Sequence, residues 1–594
     1  MKYRSEIDGL RAVAVLPVIL FHAGVETFSG GYVGVDVFLV ISGYLITSIV
    51  LTQVRAGSFS LLRFYERRAR RILPALFLVM LCCIPPAYLL MLPDDLENFG
   101  QSLVATTAFA NNVLLFLTSG YWAHATEFKP LVHTWSLGVE EQYYAVAPLL
   151  VMLFWRSRPL LLASLLLGVL FSLAFSQFAV ARWPDFNFYL IFSRVWELGL
   201  GALVAVHLAD RRKQPGRLMG QNLSLLGLVL IGLAIVTFDA ATPHPAWPTL
   251  LPVLGTVLVI VYAADNNAVG ALLSRPWLVG IGLVSFSAYL WHQPLFAFAR
   301  IASLEEPSTW LLVALGGLSL GLAYLSWRFV ESPCRDRLRT PGRVFMPAIG
   351  AAAMILAGTG YYLHDTAGLL HRWPELAQHG NYGSTRNIEF NESAFRFKDA
   401  RFSDNGRPNV LVIGNSFARD FINAGLANGY FRTHNLSYTD EFEVCDVPAA
   451  ESHLERMKAS DFIIFASGYS GEKARCIVRF LGTGAARHAR VIVIGSKNFG
   501  ANNNAVMLLP EERRYGFRAR VMDEAMRFNR EAAHVLPAEH YVDIIAMLAD
   551  EQGRVPVFTP DRRFISQDRQ HLTRDGARYV GQIIFEHPLL RPLK

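Results

Sequence analysis

Arg11 and His22 stand eleven residues apart, close to three turns, so on a helix they share one face about 16 Å apart. Arg11 then sits at the membrane edge and His22 near the middle of the first membrane-length apolar run. A histidine there is costly to bury and marks a functional position unless one polar neighbour satisfies it. Its imidazole offers general-base or nucleophilic chemistry. Far down the chain, Ser416 in a Gly-Asn-Ser turn and the D-x-x-H pair Asp568 and His571 supply a nucleophile, its base and the acid that orients the base. Between them lie Arg68 and Arg71, three apart on one helix face, whose forked guanidiniums suit phosphate. Glu140 and Glu141 in HTWSLGVEEQYY, residues 133–144, offer a carboxylate to orient a histidine or an acceptor, with Glu140 preferred.

These groups need a frame. The chain has 594 residues, 53% of them hydrophobic, too apolar for a wholly soluble protein and too long for one domain. Eleven apolar runs near the length of a bilayer span fall at 12–28, 33–53, 72–92, 141–155, 160–180, 189–209, 222–238, 249–265, 280–299, 309–327 and 344–363. The stretch 102–118 is also apolar but flanked by polar residues, and reads as interfacial or re-entrant. With the N-terminus inside, the inner loops hold 21 Lys and Arg and the outer loops 3. That asymmetry follows the positive-inside rule, and eleven spans put everything after 363 outside. Much of the basic balance, net charge +7, lies in the inner loops, which gives no reason to invoke nucleic acid. The first apolar run shows no small-residue cleavage site.

Polar groups recur inside these runs: Arg11 and His22; Asp36 and Ser42 among Gly31, Gly34 and Gly43; Arg194 with Glu197 as an i,i+3 pair; and Tyr289, His292 and Gln293. The glycines read as close helix packing. The run Arg67, Arg68, Arg70 and Arg71 fits a topology anchor or contact with anionic membrane lipid. Ionisable groups on several helices point to one polar cavity within the bundle, an arrangement that an enzyme and a transporter share.

In order, the chain carries R-x10-H, VGVDVFLVISGYLI, RARRILPAL, HTWSLGVEEQYY, YLWHQPL and FVESPCR. Together, across about 330 residues, they resemble the membrane-bound acyltransferase family 3, found in O-acetyltransferases of bacterial surface polysaccharides. The resemblance implies acetyl-CoA as cytoplasmic donor, with Arg11, Arg68 and Arg71 binding it and His22 as the essential histidine. It places the protein in a bacterial inner membrane with a cytoplasmic N-terminus.

From about Leu369 the sequence is mixed and charged. RPNVLVIGNSFARDF reads as a buried strand, a tight turn and a helix start, which puts Ser416 Oγ at a strand's carboxyl end beside backbone N–H groups suited to an oxyanion. Strand-like runs at 461–467 and 490–496, with helical stretches near 451–459, 472–481 and 511–534, make this an α/β domain with a parallel sheet. The GNS turn and the terminal D-x-x-H-L resemble the SGNH hydrolases, which implies catalytic Ser416, Asp568 and His571. The family's Gly-x-Asn-Asp block is replaced here by Ala466-Ser467-Gly468-Tyr469, which leaves the second oxyanion donor open; Asn498 is a substitute. Cys445 and Cys476 fall in this outer part, where a disulfide can form. Neither spacing nor nearby histidines point to zinc or another metal.

The expected architecture is a polytopic helical membrane bundle over 1–335, about ten acyltransferase helices. A linking helix and periplasmic connector follow over 336–408, then a periplasmic SGNH-type α/β domain over 409–594. The expected activity is O-acetyl transfer from acetyl-CoA to a lipid-linked or exported glycan, O-antigen of lipopolysaccharide or exopolysaccharide, with the outer domain as final transferase. A transporter with an outer binding domain and a membrane-anchored glycan esterase are the alternatives.

Overall fold

The computed structural model describes residues 3–118, 126–209, 216–264, 266–373, 389–440, 445, 451–467, 471–483, 488–500 and 502–594. They divide into two compact units, one of 1–89, 96–300 and 306–365, the other of 90–95, 301–305 and 366–594. The expected middle segment 336–408 is therefore shared out: helix Gly342–Asp365 goes with the first unit and residues from 366 with the second.

In the first unit each of the eleven apolar runs is helical over most of its described length, but 12–28 leaves its helix at His22, 189–209 is broken at Leu190 before helix Val195–Ala209, and 249–265 ends its helix at Tyr262. Among the described residues, six helical stretches are long and apolar enough to cross a membrane: Gly31–Arg55, Leu61–Leu90, Arg158–Ala179, Arg217–Thr237, Thr309–Arg335 and Gly342–Asp365. The run 102–118 is split between helices Pro93–Thr107 and Asn111–Thr118 by Phe109, at φ +53°. The first helix, Ser5–His22, starts and stops earlier than hydropathy implies. Gly24 takes φ +76°, which right-handed helix does not allow, and so the chain turns two residues past His22. His22 is the last residue of its helix rather than a mid-span residue, and Arg11 is inside the helix rather than at its edge.

Small residues set how closely these helices pack. A Cβ on Gly31, Gly34 or Gly43 would fall 2.2, 2.2 and 1.9 Å from the carbonyl oxygens of Pro17, Ala14 and Leu198. The close approach read from the sequence is thus present at all three.

The second unit is built on a five-stranded parallel sheet of β1 (Asn409–Ile413), β2 (Asn435–Thr439), β3 (Phe462–Ala466), β4 (Arg490–Ile494) and β6 (Tyr541–Val542). Its order is β2-β1-β3-β4-β6. Successive side chains alternate between two cores: Val410, Val412, Ile464 and Ile492 on one face, Leu411, Ile413, Ile463 and Val491 on the other. Burial on both faces explains the unbroken apolar runs of these strands. A separate antiparallel pair joins β5 (Arg518–Arg520) to β7 (Arg554–Pro556). This pairing interrupts the helix expected over 511–534, leaving Glu511–Arg514 and Asp523–Val535 on either side. Cys445 and Cys476 are disulfide-bonded.

The chain leaves β1 for β2 at one side and returns to β3 at the other, so the sheet's topological switch point lies at the carboxyl end of β1. Ser416 follows there, at the start of helix Ser416–Ala427. Gly414 makes the turn at φ +149°, with its α-carbon so close that a Cβ would meet the Ala466 carbonyl at 2.0 Å.

The helix packing gives a paired test. Gly43→Ala should sharply reduce the yield of folded, detergent-extractable protein, because the new methyl meets backbone. Gly280→Ala, where a Cβ meets nothing within 4 Å, should leave yield and thermal stability unchanged or slightly raised.

Candidate active sites in the two units

Among the described residues of the helical unit, two cavities hold the polar groups singled out in the sequence. The smaller, about 90 Å³, is lined by Arg11, Arg68, Arg71, Ser42, Glu140, Tyr144 and Ser136. The basic run of helix Leu61–Leu90 divides its labour here. Arg70 is buried on Glu66 (2.9 Å) and on the carbonyls of Cys334 and Thr340 (2.9 and 2.8 Å), and Arg67 donates to Gln53 at 2.9 Å. Arg68 and Arg71, one turn apart, point into the cavity with Arg11, whose Nη1 is 3.5 Å from Asp8. Buried Arg68 Nε and Glu141 Oε1 make no hydrogen bond among the described residues. Three guanidiniums round one pocket, one with a spare buried donor, make a cationic site of the kind that pairs with phosphate oxygens.

Glu140 also lines this cavity, where the hydroxyls of Ser42 and Tyr144 donate to Oε1. No hydrogen bond joins it to His22 among the described residues, and His22 lines the other cavity.

That second cavity, about 850 Å³, is lined by His22, His133, Tyr289 and Gln293, by aromatic Tyr32, Trp135, Phe188 and Tyr189, and by Asp239, His244 and Arg300. Val35 and Tyr289 line both cavities and form the wall between them. Tyr289 is held there by Ser136 Oγ (2.8 Å) and by its own donation to the His133 carbonyl (2.8 Å). The group on the His22 ring is His292: Nε2 of His292 lies 3.1 Å from Nδ1 of His22. Arg300 donates to the His22 carbonyl at 3.1 Å, placing a cation at the helix C-terminus where dipole and orphan carbonyls favour one. The sequence flagged His292 only as a polar group in a span; a three-helix meeting has no local signal.

In the second unit, Ser416 Oγ lies 2.6 Å from His571 Nε2, and His571 Nδ1 donates to Asp568 Oδ2. Ser416 is 1% exposed. Asp568 Oδ1 accepts from the backbone N–H groups of His571 (2.7 Å) and Gln570 (2.9 Å). Burial alone would push this carboxyl up; the adjacent imidazole and these donors outweigh it and hold the acid well below the usual carboxylate range. The three residues read from the sequence are thus brought together as a serine triad.

Beneath them lies a network that sequence reasoning missed. Asp420 is one turn after Ser416 on the same helix, a spacing that could have flagged it. Its carboxylate accepts from Asn391 Nδ2 (2.7 Å), Leu572 N (3.0 Å) and Lys497 Nζ (2.8 Å). Asn391 also donates to the Ser416 carbonyl (3.0 Å), and Lys497 to the Gln570 carbonyl (2.6 Å). Burial pushes the Lys497 ammonium down, against the pull of Asp420. The network thereby ties the serine turn to the histidine loop.

Asn498 is committed elsewhere: its Oδ1 accepts from Gly500 and Met522, and its Nδ2 donates to the Gly500 carbonyl. Gly468 and Tyr469, the other site of the oxyanion question, lie outside the described residues. Among the described residues no group of three or more His, Cys, Asp or Glu is placed to hold a metal ion.

The profile of a family described as acyltransferase domain matches residues 4–328. The match covers more than half of the chain and both cavities, and the chain belongs to this acyltransferase family. With its apolar helices, this makes it a multi-pass membrane protein. Curated relatives include the peptidoglycan O-acetyltransferase OatA of Listeria monocytogenes, 30% identical over 350 residues, 56% of this chain and 56% of that protein. The O-acetyltransferase OatA of Staphylococcus aureus is 28% identical over 353 residues, 57% of this chain and 58% of that one. The chain thus spans little more than half the length of the curated relatives it matches. No solved structure matches.

Asp420→Ala should destabilise the chain by about 3–5 kcal/mol, because it strands Lys497 as a buried, unpaired cation; denaturant unfolding of the second unit reads this out. Asp420→Ala with Lys497→Met should recover much of the loss.

Proposed function

We propose that the chain is an O-acetyltransferase that moves acetyl from acetyl-CoA to a hydroxyl of a bacterial surface glycan. The observation that carries this reading is the wall of Val35 and Tyr289 shared by the arginine cavity and the histidine cavity. Arg11, Arg68 and Arg71 grip the phosphates of coenzyme A, and its pantetheine arm carries the thioester along the pocket to that wall. His22, on the far side, then acts on the acetyl carbon as nucleophile or deprotonates the group that does. The C–S bond breaks, and the thiolate leaves with a proton as free coenzyme A.

The α/β unit completes the transfer as an SGNH-type domain. His571 Nε2 takes the Ser416 proton as Oγ attacks the acetyl carbonyl. The bond from acetyl to the group that carried it breaks, and the imidazolium returns the proton to that leaving group, which leaves an acyl-serine beside a neutral imidazole. A sugar hydroxyl, deprotonated by the same imidazole, displaces the serine. Asp568 holds His571 in the tautomer that this needs. The helix start at Ser416 offers its backbone N–H to the oxyanion.

In this account the N-terminus and the arginine cavity face the cytoplasm, where acetyl-CoA is made, and the α/β unit faces the periplasm of an inner-membrane protein. The acceptor is a lipid-linked or exported glycan: O-antigen of lipopolysaccharide, exopolysaccharide or, by the name of the Listeria relative, peptidoglycan.

O-acetyl content of extracted surface glycan, measured by NMR in cells carrying the intact chain or a variant, tests this. His22→Ala and Ser416→Ala should each remove the acetyl that depends on this protein. Extra acetyl with Ser416→Ala would make the second unit an esterase. Arg68→Ala should weaken acetyl-CoA binding about tenfold or more, the worth of one charge-assisted hydrogen bond to phosphate. Unchanged affinity in purified protein would remove Arg68 from the donor site.

A further inference from the structure

We propose that His292 is a positioning residue that fixes the tautomer of His22 and so makes Nε2 of His22 the atom that reacts. The inference rests on His22 being the reacting histidine of the helical unit, and it assigns what holds that ring and which nitrogen is used.

A chain of hydrogen bonds joins the two rings, beginning at a backbone carbonyl. His292 Nδ1 lies 2.6 Å from the Tyr289 carbonyl, three residues back on helix Pro276–Ile301. A carbonyl oxygen only accepts, so this nitrogen carries the proton. His292 is 0% exposed, and among the described residues no carboxylate is hydrogen-bonded to its ring. A second proton would make it a buried cation without a counter-charge, a costly state. Neutral His292 therefore presents a bare lone pair at Nε2. Its Nε2 faces Nδ1 of His22 at 3.1 Å, and a lone pair there is satisfied only if His22 Nδ1 carries hydrogen. Neutral His22 then has its own lone pair on Nε2. The Val18 carbonyl, four residues back on the first helix, also lies against the His22 ring and, like His292 Nε2, can only accept a hydrogen from it.

The neighbours keep this arrangement from slipping. The two rings lie 5.1 Å apart at 32°. Phe296 meets the His292 ring edge-on at 5.8 Å and His133 does so at 5.6 Å. The backbone of His22 is pinned by Arg300. Glu140 lines the arginine cavity, and among the described residues no carboxylate is hydrogen-bonded to the His22 ring. The ring is therefore oriented by a neutral imidazole together with the Val18 carbonyl, whereas His571 in the other unit is oriented by a carboxylate.

The substitutions that test this are His292→Ala and His292→Gln. A glutamine amide puts its carbonyl oxygen near the place of the imidazole Nε2, where it can accept from His22 Nδ1. Acetyl transfer from acetyl-CoA by the full chain in membranes should fall about a hundredfold or more with His292→Ala, since a wrong tautomer in a serine triad costs roughly ten-thousandfold. KM for acetyl-CoA should be unchanged, and His292→Gln should recover most of the turnover. Nitrogen-15 spectra of histidine-labelled protein, with the His22 signals assigned by loss in His22→Ala, should show a protonated Nδ1 and a bare Nε2. His292→Ala should mix the two tautomers.

A bare Nδ1 on His22 in the intact protein would overturn the proposal. So would full activity in His292→Ala, or His292→Gln as inactive as His292→Ala at equal protein level. An active His22→Ala would instead overturn the underlying assignment of His22, a result distinct from all of these.

Discussion

Arg194 carries a charge to a position where none of its side chain meets solvent, and the helices around it are arranged to meet that charge. Its Nη1 lies 2.9 Å from Asp36 and 3.2 Å from Glu197, both fully buried, and Asp36 also meets His244 Nε2 at 3.0 Å. Attraction between buried charges repays their desolvation only when the geometry is held closely. The group therefore fixes helix Gly34–Arg55 against helix Val195–Ala209, a pairing that Gly43 and Gly201 make close enough, since a Cβ on either would strike the other helix's backbone. The guanidinium also lies over the rings of Trp135 and Phe188, 5.1 and 5.2 Å from their centroids. Those rings and His244 line the cavity that holds His22. Neutralising one buried charge thus shapes the wall of the candidate site.

Much of this was legible in the sequence because it is local or periodic. Each apolar run became helical over most of its described length, the Arg194–Glu197 spacing became an ion pair, and the Gly-Asn-Ser turn brought Ser416 to the end of β1. What failed to show is what depends on single backbone angles or distant partners. Hydropathy runs on through Val25 and Phe28, so it could not see that Gly24 ends the first helix and leaves His22 at its tip. Helix propensity through 511–534 gave no sign that Arg518–Arg520 would pair with residues more than thirty positions later. Glu140 read from the sequence as a carboxylate to orient a histidine or an acceptor, with nothing local to say which cavity it would face. Its hydroxyl partners Ser42 and Tyr144 draw it to the arginine side instead.

The two units reach a reactive side chain by different means. In the α/β unit a carboxylate, a histidine and a serine stand in line, held from below by Asp420, Asn391 and Lys497. There the charge that develops on His571 during transfer has Asp568 waiting for it. In the helical unit the histidine ring is held by a second histidine and a carbonyl, with cationic groups gathered in a separate cavity behind Tyr289. In the proposed reaction, polyphosphate charge and acyl chemistry would thereby be kept apart, in a setting where stray charge is costly to bury.

The central claim, that acetyl alone passes between the two cavities while its carrier stays behind, has one direct test. Sealed vesicles would hold acetyl-CoA labelled separately in the acetyl group and in the nucleotide, on the side of the arginine cavity. The label on acceptor glycan and in the medium outside would then be counted over time. The account predicts acetyl label on the outer glycan, dependent on His22, with the nucleotide label retained inside. Nucleotide label appearing outside in step with acetyl would mean that the bundle moves the whole donor, and would contradict it.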